Sequence, residues 1–239
     1  MIDVRRAGDR FATRLDWLDS RHSFSFGPHY DAGNTHHGLL LVNNDDRVDA
    51  GTGFETHPHR DMEIVTWVLS GSLVHQDSTG NNGVVYPGLA QRMSAGTGIL
   101  HSEKADRDPV HFVQMWVLPD EAGIDPGYEQ LEVDDELLRG GLVPVASGRP
   151  GHEAAIRIRN RSAALHAARL REAASVELPE APFVHLYVAA GDVELEGTGT
   201  LFAGDAARLT ATGGQRVTAM GPAEILAWEM HATPVPGEQ

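Results

Sequence analysis

A chain of 239 residues suits one large all-β domain or two small ones, and either can bury a sizeable core. Nineteen basic side chains against thirty-four acidic ones leave a formal charge of −15, which repels phosphate and argues against nucleic acid or an anionic membrane face as the direct ligand. With no cysteine there can be no disulfide, iron–sulfur cluster, thiolate zinc site or cysteine nucleophile, so any metal must sit on nitrogen and oxygen.

The chain opens MIDVRRAGDRF, with no apolar run after its charges, and no later stretch approaches the roughly 18 apolar residues of a membrane span; a soluble, cytoplasmic protein is expected. Residues 10–19 offer a possible short helix. Apolar blocks punctuated by glycine then predict strands at 38–43, 62–69 and 110–118. Turn formers cluster at 123–128 and again at Gly140, Gly141 and 148–151, which marks a passage between two halves. A second helix is expected at 134–139, where the acidic run Asp134, Asp135, Glu136 complements the helix dipole. Further strands at 155–159, 183–188, 192–196, 206–209 and 225–229 complete an all-β pattern of sandwich or barrel type. Trp67-Val-Leu-Ser-Gly-Ser-Leu-Val74 aligns with Tyr187-Val-Ala-Ala-Gly-Asp-Val-Glu194 at an offset of 120 residues, so two copies of one β-unit are expected.

Nine of the thirteen histidines fall in the first 111 residues, which marks the N-terminal half as the chemical one. His57 and His59 stand at i and i+2, on one face of an extended strand, where two imidazoles can converge on one ion. Chance alone supplies about 0.7 such pairs at this histidine content, so the pair needs support. His101 and Glu103 supply it, as a second i, i+2 pair of ligand type following Gly96-Thr97-Gly98, whose glycines permit a tight turn. Together the two pairs would present three imidazoles and one carboxylate, a set that suits iron, nickel, copper, zinc, cobalt or manganese without choosing among them. His36 and His37 are adjacent and face opposite ways, while His75 and His111 read as ordinary sheet residues. Trp67, Met115 and Trp116 read as core or pocket wall.

Gly51-x5-His57-x-His59-x3-Glu63 resembles the first cupin motif and Gly98-x2-His101 the core of the second. More narrowly, His57-Pro-His-Arg-Asp-Met-Glu-Ile-Val-Thr-Trp67, Val84-Val-Tyr-Pro-Gly88, Met93-Ser-Ala-Gly-Thr-Gly-Ile-Leu-His-Ser-Glu103, Gln114-Met-Trp-Val-Leu-Pro119 and Pro126-Gly-Tyr-Glu-Gln130 resemble the pirin family, especially its bacterial members described as quercetin 2,3-dioxygenases. That resemblance implies a bicupin, two stacked antiparallel β-barrels (double-stranded β-helix or jelly-roll) with little helix, divided into a metal-binding domain at 1–130 and a C-terminal domain at 131–239. It implies one divalent transition metal, iron first and nickel, copper, manganese, cobalt or zinc as alternatives, held by His57, His59, His101 and Glu103. Glu103 then replaces the general cupin carboxylate, which corresponds to Glu63, and Glu63 is expected to support the site, for instance by orienting a ligand imidazole.

The implied activity is dioxygenation of a small aromatic substrate, a flavonol such as quercetin, with O2, Glu103 serving as general base. The alternatives from other classes are a non-enzymatic metal-binding redox regulator acting through a protein partner, and a cupin isomerase. Shifting His57, His59 and Glu63 by 120 lands on Glu177, Pro179 and Phe183, so the C-terminal half is expected to lack the ligand set and to serve packing and closure. A monomer is the default, since two fused barrels already form a pseudo-dimer.

Overall fold

A computed structural model describes residues 1–234. Among these, regular structure is almost entirely strand; the helices are the single turn Asp134–Leu138 and the 3-10 turn Ala7–Asp9. Two sandwiches result, each pairing a seven-stranded with a four-stranded sheet. In the first, the large sheet runs Gly127–Glu132, Leu89–Ser94, Glu63–Ser70, Val110–Val117, Leu40–Val48, Leu18–His22, Phe11–Leu15. Its small sheet runs Gly53–His59, Ile99–Ala105, Leu73–Asp77, Asn82–Val85. In the second, the large sheet runs Ile2–Arg5, Ala206–Thr210, Phe183–Ala190, Ala223–Met230, Ala163–Leu170, Val143–Ser147, Ile156–Arg157, over Ser175–Glu177, Arg216–Ala219, Val193–Leu195, Gly199–Leu201.

The central strands read as unbroken apolar runs because both faces of each large sheet are covered. In Glu63–Ser70, Val68 points into its own sandwich, while Val65 and Trp67 point outward. The outward faces meet: Val65, Trp67, Val113 and Met115 of the first sheet form one core with Leu165, Tyr187, Leu226 and Trp228 of the second. The two barrels therefore stack back to back. At this junction Trp67 Nε1 donates to Glu224 Oε1 at 2.6 Å and Trp228 Nε1 to Met115 Sδ at 3.2 Å, so the two indoles bury without an orphaned N–H.

Three local expectations are corrected. Residues 10–19 are not helical: Phe11–Leu15 and Leu18–His22 form a hairpin around Asp16 and Trp17. The spacing of Phe11, Leu15 and Leu18 imitates a helix, yet Leu18, Ser20 and His22 alternate into the barrel and the pairing with Leu40–Val48 prevails. The turn-rich segment 123–128 does not lead out of the first half, because Gly127–Glu132 pairs with Leu89–Ser94; the chain crosses afterwards, through Asp134–Leu138 and Gly140. Finally, Ile2–Arg5 pairs with Ala206–Leu209 of the second half. It flanks that sheet where Gly127–Glu132 flanks the first. No helix among the described residues is long and apolar enough to cross a membrane.

Candidate metal centre

His57 and His59 lie on Gly53–His59, and His101 lies directly opposite His57 on the neighbouring antiparallel strand. All three side chains consequently share one face. A register shift between His101 and Glu103 brings Glu103 opposite Phe54. Gly53 makes that close passage possible: a Cβ there would stand 2.2 Å from the Glu103 carbonyl oxygen, and its φ of 155° is one that only glycine adopts freely. Gly96, at φ 50°, serves the turn before the His101 strand in the same way, its Cα facing the Ile124 carbonyl.

The imidazoles form a nearly regular triangle, with ring centroids 4.5 Å apart for His57–His101 and 4.9 Å for each pair with His59. Hydrogen-bond partners assign the tautomers. His57 Nδ1 donates to the Glu55 carbonyl at 2.7 Å, so its Nε2 carries the lone pair. Behind His101, Asp77 Oδ2 accepts from His75 Nε2 at 3.3 Å, and the His75 Nδ1 so left as acceptor faces His101 Nδ1 at 3.5 Å. His101 then also turns a lone pair at Nε2 to the centre. The two Nε2 atoms are 3.1 Å apart. Lone pairs facing each other at that distance repel unless a cation lies between them, and the separation suits two nitrogens each about 2 Å from one ion. The donor chemistry thus fits a borderline divalent cation. Burial, together with the neighbouring imidazoles, brings His101 down to about 2 and His59 to about 4, so both rings stay neutral and able to ligate.

Glu103 is placed differently from the three histidines. Its carboxylate groups within 4.8 Å with His101 and His75, and no group of that span holds it together with all three imidazoles of the triangle among the described residues. A short relay orients it. Trp116 Nε1, which can only donate, gives its hydrogen to Gln114 Oε1 at 3.0 Å, which leaves Gln114 Nε2 to donate to Glu103 Oε2 at 2.8 Å. Burial raises Glu103 to about 7 against that hydrogen bond. Glu63 does not orient an imidazole. It faces the junction between barrels, where it accepts the Arg159 backbone N–H at 2.9 Å.

A cavity of about 800 Å³ opens beside the triangle, lined by His57, His59 and Glu103. Its walls combine the aromatic side chains Trp17, Phe26, Phe54 and Trp116 with the polar Ser20, His22, Asn44 and Asp46, and His22 stacks on Phe26 with centroids 5.0 Å apart. Trp116 meets His59 edge to face at 4.9 Å. Asp46 is buried, accepts the Ser20 hydroxyl, and is pushed up to about 7 by that burial. Sequence reasoning missed these polar groups: Asn44 and Asp46 look like the hydrophilic end of a strand, and His75 like a sheet residue. Only the register, which sets Glu103 opposite His75 and His101 opposite Asp77, reveals the support behind the triangle. Trp67 and Met115 belong to the core between barrels. His37 is no free surface residue, since its Nε2 lies 3.2 Å from both the Val184 and Leu209 carbonyls across the junction.

Two back-to-back β-barrels, one of them holding three convergent imidazoles beside an aromatic cavity, define a bicupin with a nitrogen-rich metal centre. Comparison with known proteins narrows the class. The pirin family model matches residues 4–117. A Mycobacterium tuberculosis H37Rv protein named as a candidate quercetin 2,3-dioxygenase is 64% identical over 97% of this chain and 96% of its own. The quercetin 2,3-dioxygenase of Escherichia coli K12 is 49% identical over 56% of this chain and 59% of its own. Among solved structures, the bacterial pirin YhhW of Escherichia coli in complex with nickel(II) superposes with a TM-score of 0.86 at 34% identity, covering 98% of this chain and all of the other. The chain belongs to the pirin family.

Proposed function

We propose that the protein is a metal-dependent dioxygenase that opens the heterocycle of a flavonol of the quercetin type. The observation that carries this reading is the triangle of imidazoles, two of them turning lone pairs to its centre, beside an aromatic-lined cavity of about 800 Å³. The names of the similar mycobacterial and Escherichia coli proteins, and the nickel(II) bound by the latter's pirin YhhW, support it. His57, His59 and His101 would hold the ion, with Glu103 as the fourth ligand. When bound, a divalent transition ion supplies Lewis acidity toward the flavonol 3-hydroxyl and redox access to O2.

The residues of the chain do the rest. A flat ring system fits against the aromatic lining of the cavity, where Phe26 meets Trp116 and Trp17 meets Phe54 edge to face, and this apolar surface excludes water from the reacting carbons. Hydroxyls at the far end of the substrate meet Ser20, His22 and Asn44. Glu103 would give up its place on the ion to take the 3-hydroxyl proton at Oε1, the oxygen that Gln114 leaves free, and burial that lifts its carboxyl toward neutrality suits it to accept a proton at working pH. O2 would then add at ring carbons 2 and 4; the bonds from carbon 3 to both would break, one oxygen atom staying on each of carbons 2 and 4 in the ring-opened ester, and carbon 3 would leave with its oxygen as carbon monoxide. We propose a cytoplasmic enzyme, in keeping with a chain that carries no cysteine.

The test is direct. Protein loaded separately with Fe2+, Mn2+, Ni2+, Co2+ and Cu2+ and mixed with quercetin in air is expected to bleach the flavonol absorbance and release carbon monoxide. Turnover with none of the five metals overturns the proposal.

A further inference from the structure

The C-terminal barrel carries metal-type side chains where the 120-residue repeat places none. His152, His166 and Glu229 bring one ligating atom each within 4.8 Å of the others. His166 and Glu229 lie on adjacent strands as diagonal neighbours, since Ala164 pairs with Glu229 and His166 with Ala227. Both are largely buried, and His166 Nε2 stands 3.1 Å from Glu229 Oε2. His152 comes from the turn after Val143–Ser147, its ring 5.5 Å from that of His166. Ser147 Oγ fixes it through Nδ1 at 3.0 Å, which leaves Nε2 as the open nitrogen.

Register shows where this group sits. Asn44 pairs with Gln114 and His166 with Ala227, and Trp116 pairs with Ile64 as Glu229 does with Val184. His166 and Glu229 therefore occupy, in the second barrel, the positions of the cavity-lining residues Asn44 and Trp116 in the first. The group is thus at a barrel mouth and not at the positions equivalent to His57, His59 and His101. Two further side chains crowd the carboxylate. Arg149 forms an ion pair with Glu229 Oε1, and His231 Nε2 lies 2.8 Å from the same oxygen. Arg149 keeps 30% of its side chain exposed and can turn out to solvent.

We propose that His152, His166 and Glu229 form a second, weaker site for a borderline divalent transition cation such as Zn2+, Ni2+ or Co2+, in which the cation takes the place of the Arg149 guanidinium on Glu229. Two imidazoles and a carboxylate suit these ions. Filling the site requires His166 Nε2 to turn a lone pair to the ion in place of its hydrogen bond with Glu229 Oε2. The built-in guanidinium competitor keeps the affinity below that of the triangle.

The experiment uses untagged full-length protein and counts bound metal after dialysis against Zn2+, with the ligand-field absorption of Co2+ as a second readout. Wild type is expected to bind two equivalents and the His57→Ala, His101→Ala double variant one. Adding His166→Ala or Glu229→Gln to that double variant is expected to remove the remaining equivalent. Arg149→Ala in the same background is expected to tighten it by about tenfold, because a competing charge beside the carboxylate is gone. His152→Ala, on a turn rather than in the sheet, gives the same reading should His166→Ala fail to fold. A folded double variant that binds no metal overturns the proposal, as does an equivalent that survives both His152→Ala and Glu229→Gln. Because the double variant lacks the first site, neither outcome depends on flavonol turnover.

Discussion

The two barrels share a topology and differ at their centres. In the first, Thr66 pairs with Gln114 and His75 with Glu103; in the second, Leu186 pairs with Ala227 and Leu195 with Val217. A polar quartet thus becomes an apolar one at matched register positions, and the second set belongs to a continuous core. The apolar version shows that closure of this sandwich needs no polar group inside. Buried polar groups are costly unless partnered, so the quartet in the first barrel, together with Asp46 and the histidine triangle, is present for chemistry and not for folding.

The sharpest way to break the contrast is at His101, which links the triangle to Glu103 and to His75. His101→Ala is expected to strip metal by more than about a hundredfold in affinity and to abolish flavonol turnover, read by elemental analysis after dialysis and by loss of quercetin bleaching. Glu103→Gln is milder for metal and equally severe for turnover, since the amide cannot accept the proton. Retention of metal by both variants would disconnect these residues from the centre. Transplanting the polar quartet the other way costs folding. Val217 is fully buried and its neighbours are aliphatic, so Val217→Glu is expected to lose about 3–5 kcal/mol in urea denaturation, having no partner for its carboxylate.

His75 sharpens the comparison at smaller cost. Its ring stacks on Tyr128 with centroids 4.9 Å apart, and it sits between Asp77 and His101. Burial resists the charge on Asp77, but hydrogen bonds from Asn81, Thr79 and His75 prevail and hold it at about 2. Asp77 therefore keeps the proton of His75 on Nε2, which in turn fixes the His101 tautomer. His75→Phe keeps the volume and loses the hydrogen bond; metal affinity is expected to fall tenfold to a hundredfold while the melting temperature changes little. An unchanged affinity would reduce His75 to packing.

Much of this was legible in the chain. The i, i+2 spacing set His57 and His59 on one face of their strand, because strand period is a local property; the register shift between His101 and Glu103 was not legible. Strands at 62–69, 110–118 and 183–188 announced themselves by continuous apolar runs, which only a doubly covered sheet produces. Partners were not legible. Nothing in Asp16 and Trp17 signals a hairpin, since neither is glycine or asparagine. Nor does a histidine at position 75 declare that register will set it behind a ligand from a strand 26 residues away. His152, His166 and Glu229 are separated along the chain and meet only through the pairing of Ala163–Leu170 with Ala223–Met230 and the turn that follows Val143–Ser147.

His185 in the second half and His75 in the first are both fully buried histidines, but neither ring nitrogen of His185 has a partner. Burial first, then the nearby Arg208 and His37 charges, lowers its pKa well below 6.5, so the folded protein holds it neutral. Above pH 6.5 neither the folded nor the unfolded state protonates it and it contributes nothing to pH dependence. Below that, the unfolded chain binds a proton that the folded one refuses, and stability falls by up to about 1.4 kcal/mol per pH unit from this group alone. His185→Leu removes the proton and leaves an apolar side chain of similar size beside Phe24. At pH 7.5 the substitution is expected to be neutral or mildly stabilising, since no hydrogen bond is lost. At pH 5 the metal-stripped variant should exceed wild type by about 1–2 kcal/mol in urea denaturation. His75→Phe in the first barrel also removes a buried neutral histidine, but Asp77 opposes its shift, so its gain at pH 5 should be the smaller of the two. Equal gains would mean that Asp77 does not favour the charged form of its neighbour, and with that the tautomer assigned to His101 would lose its basis.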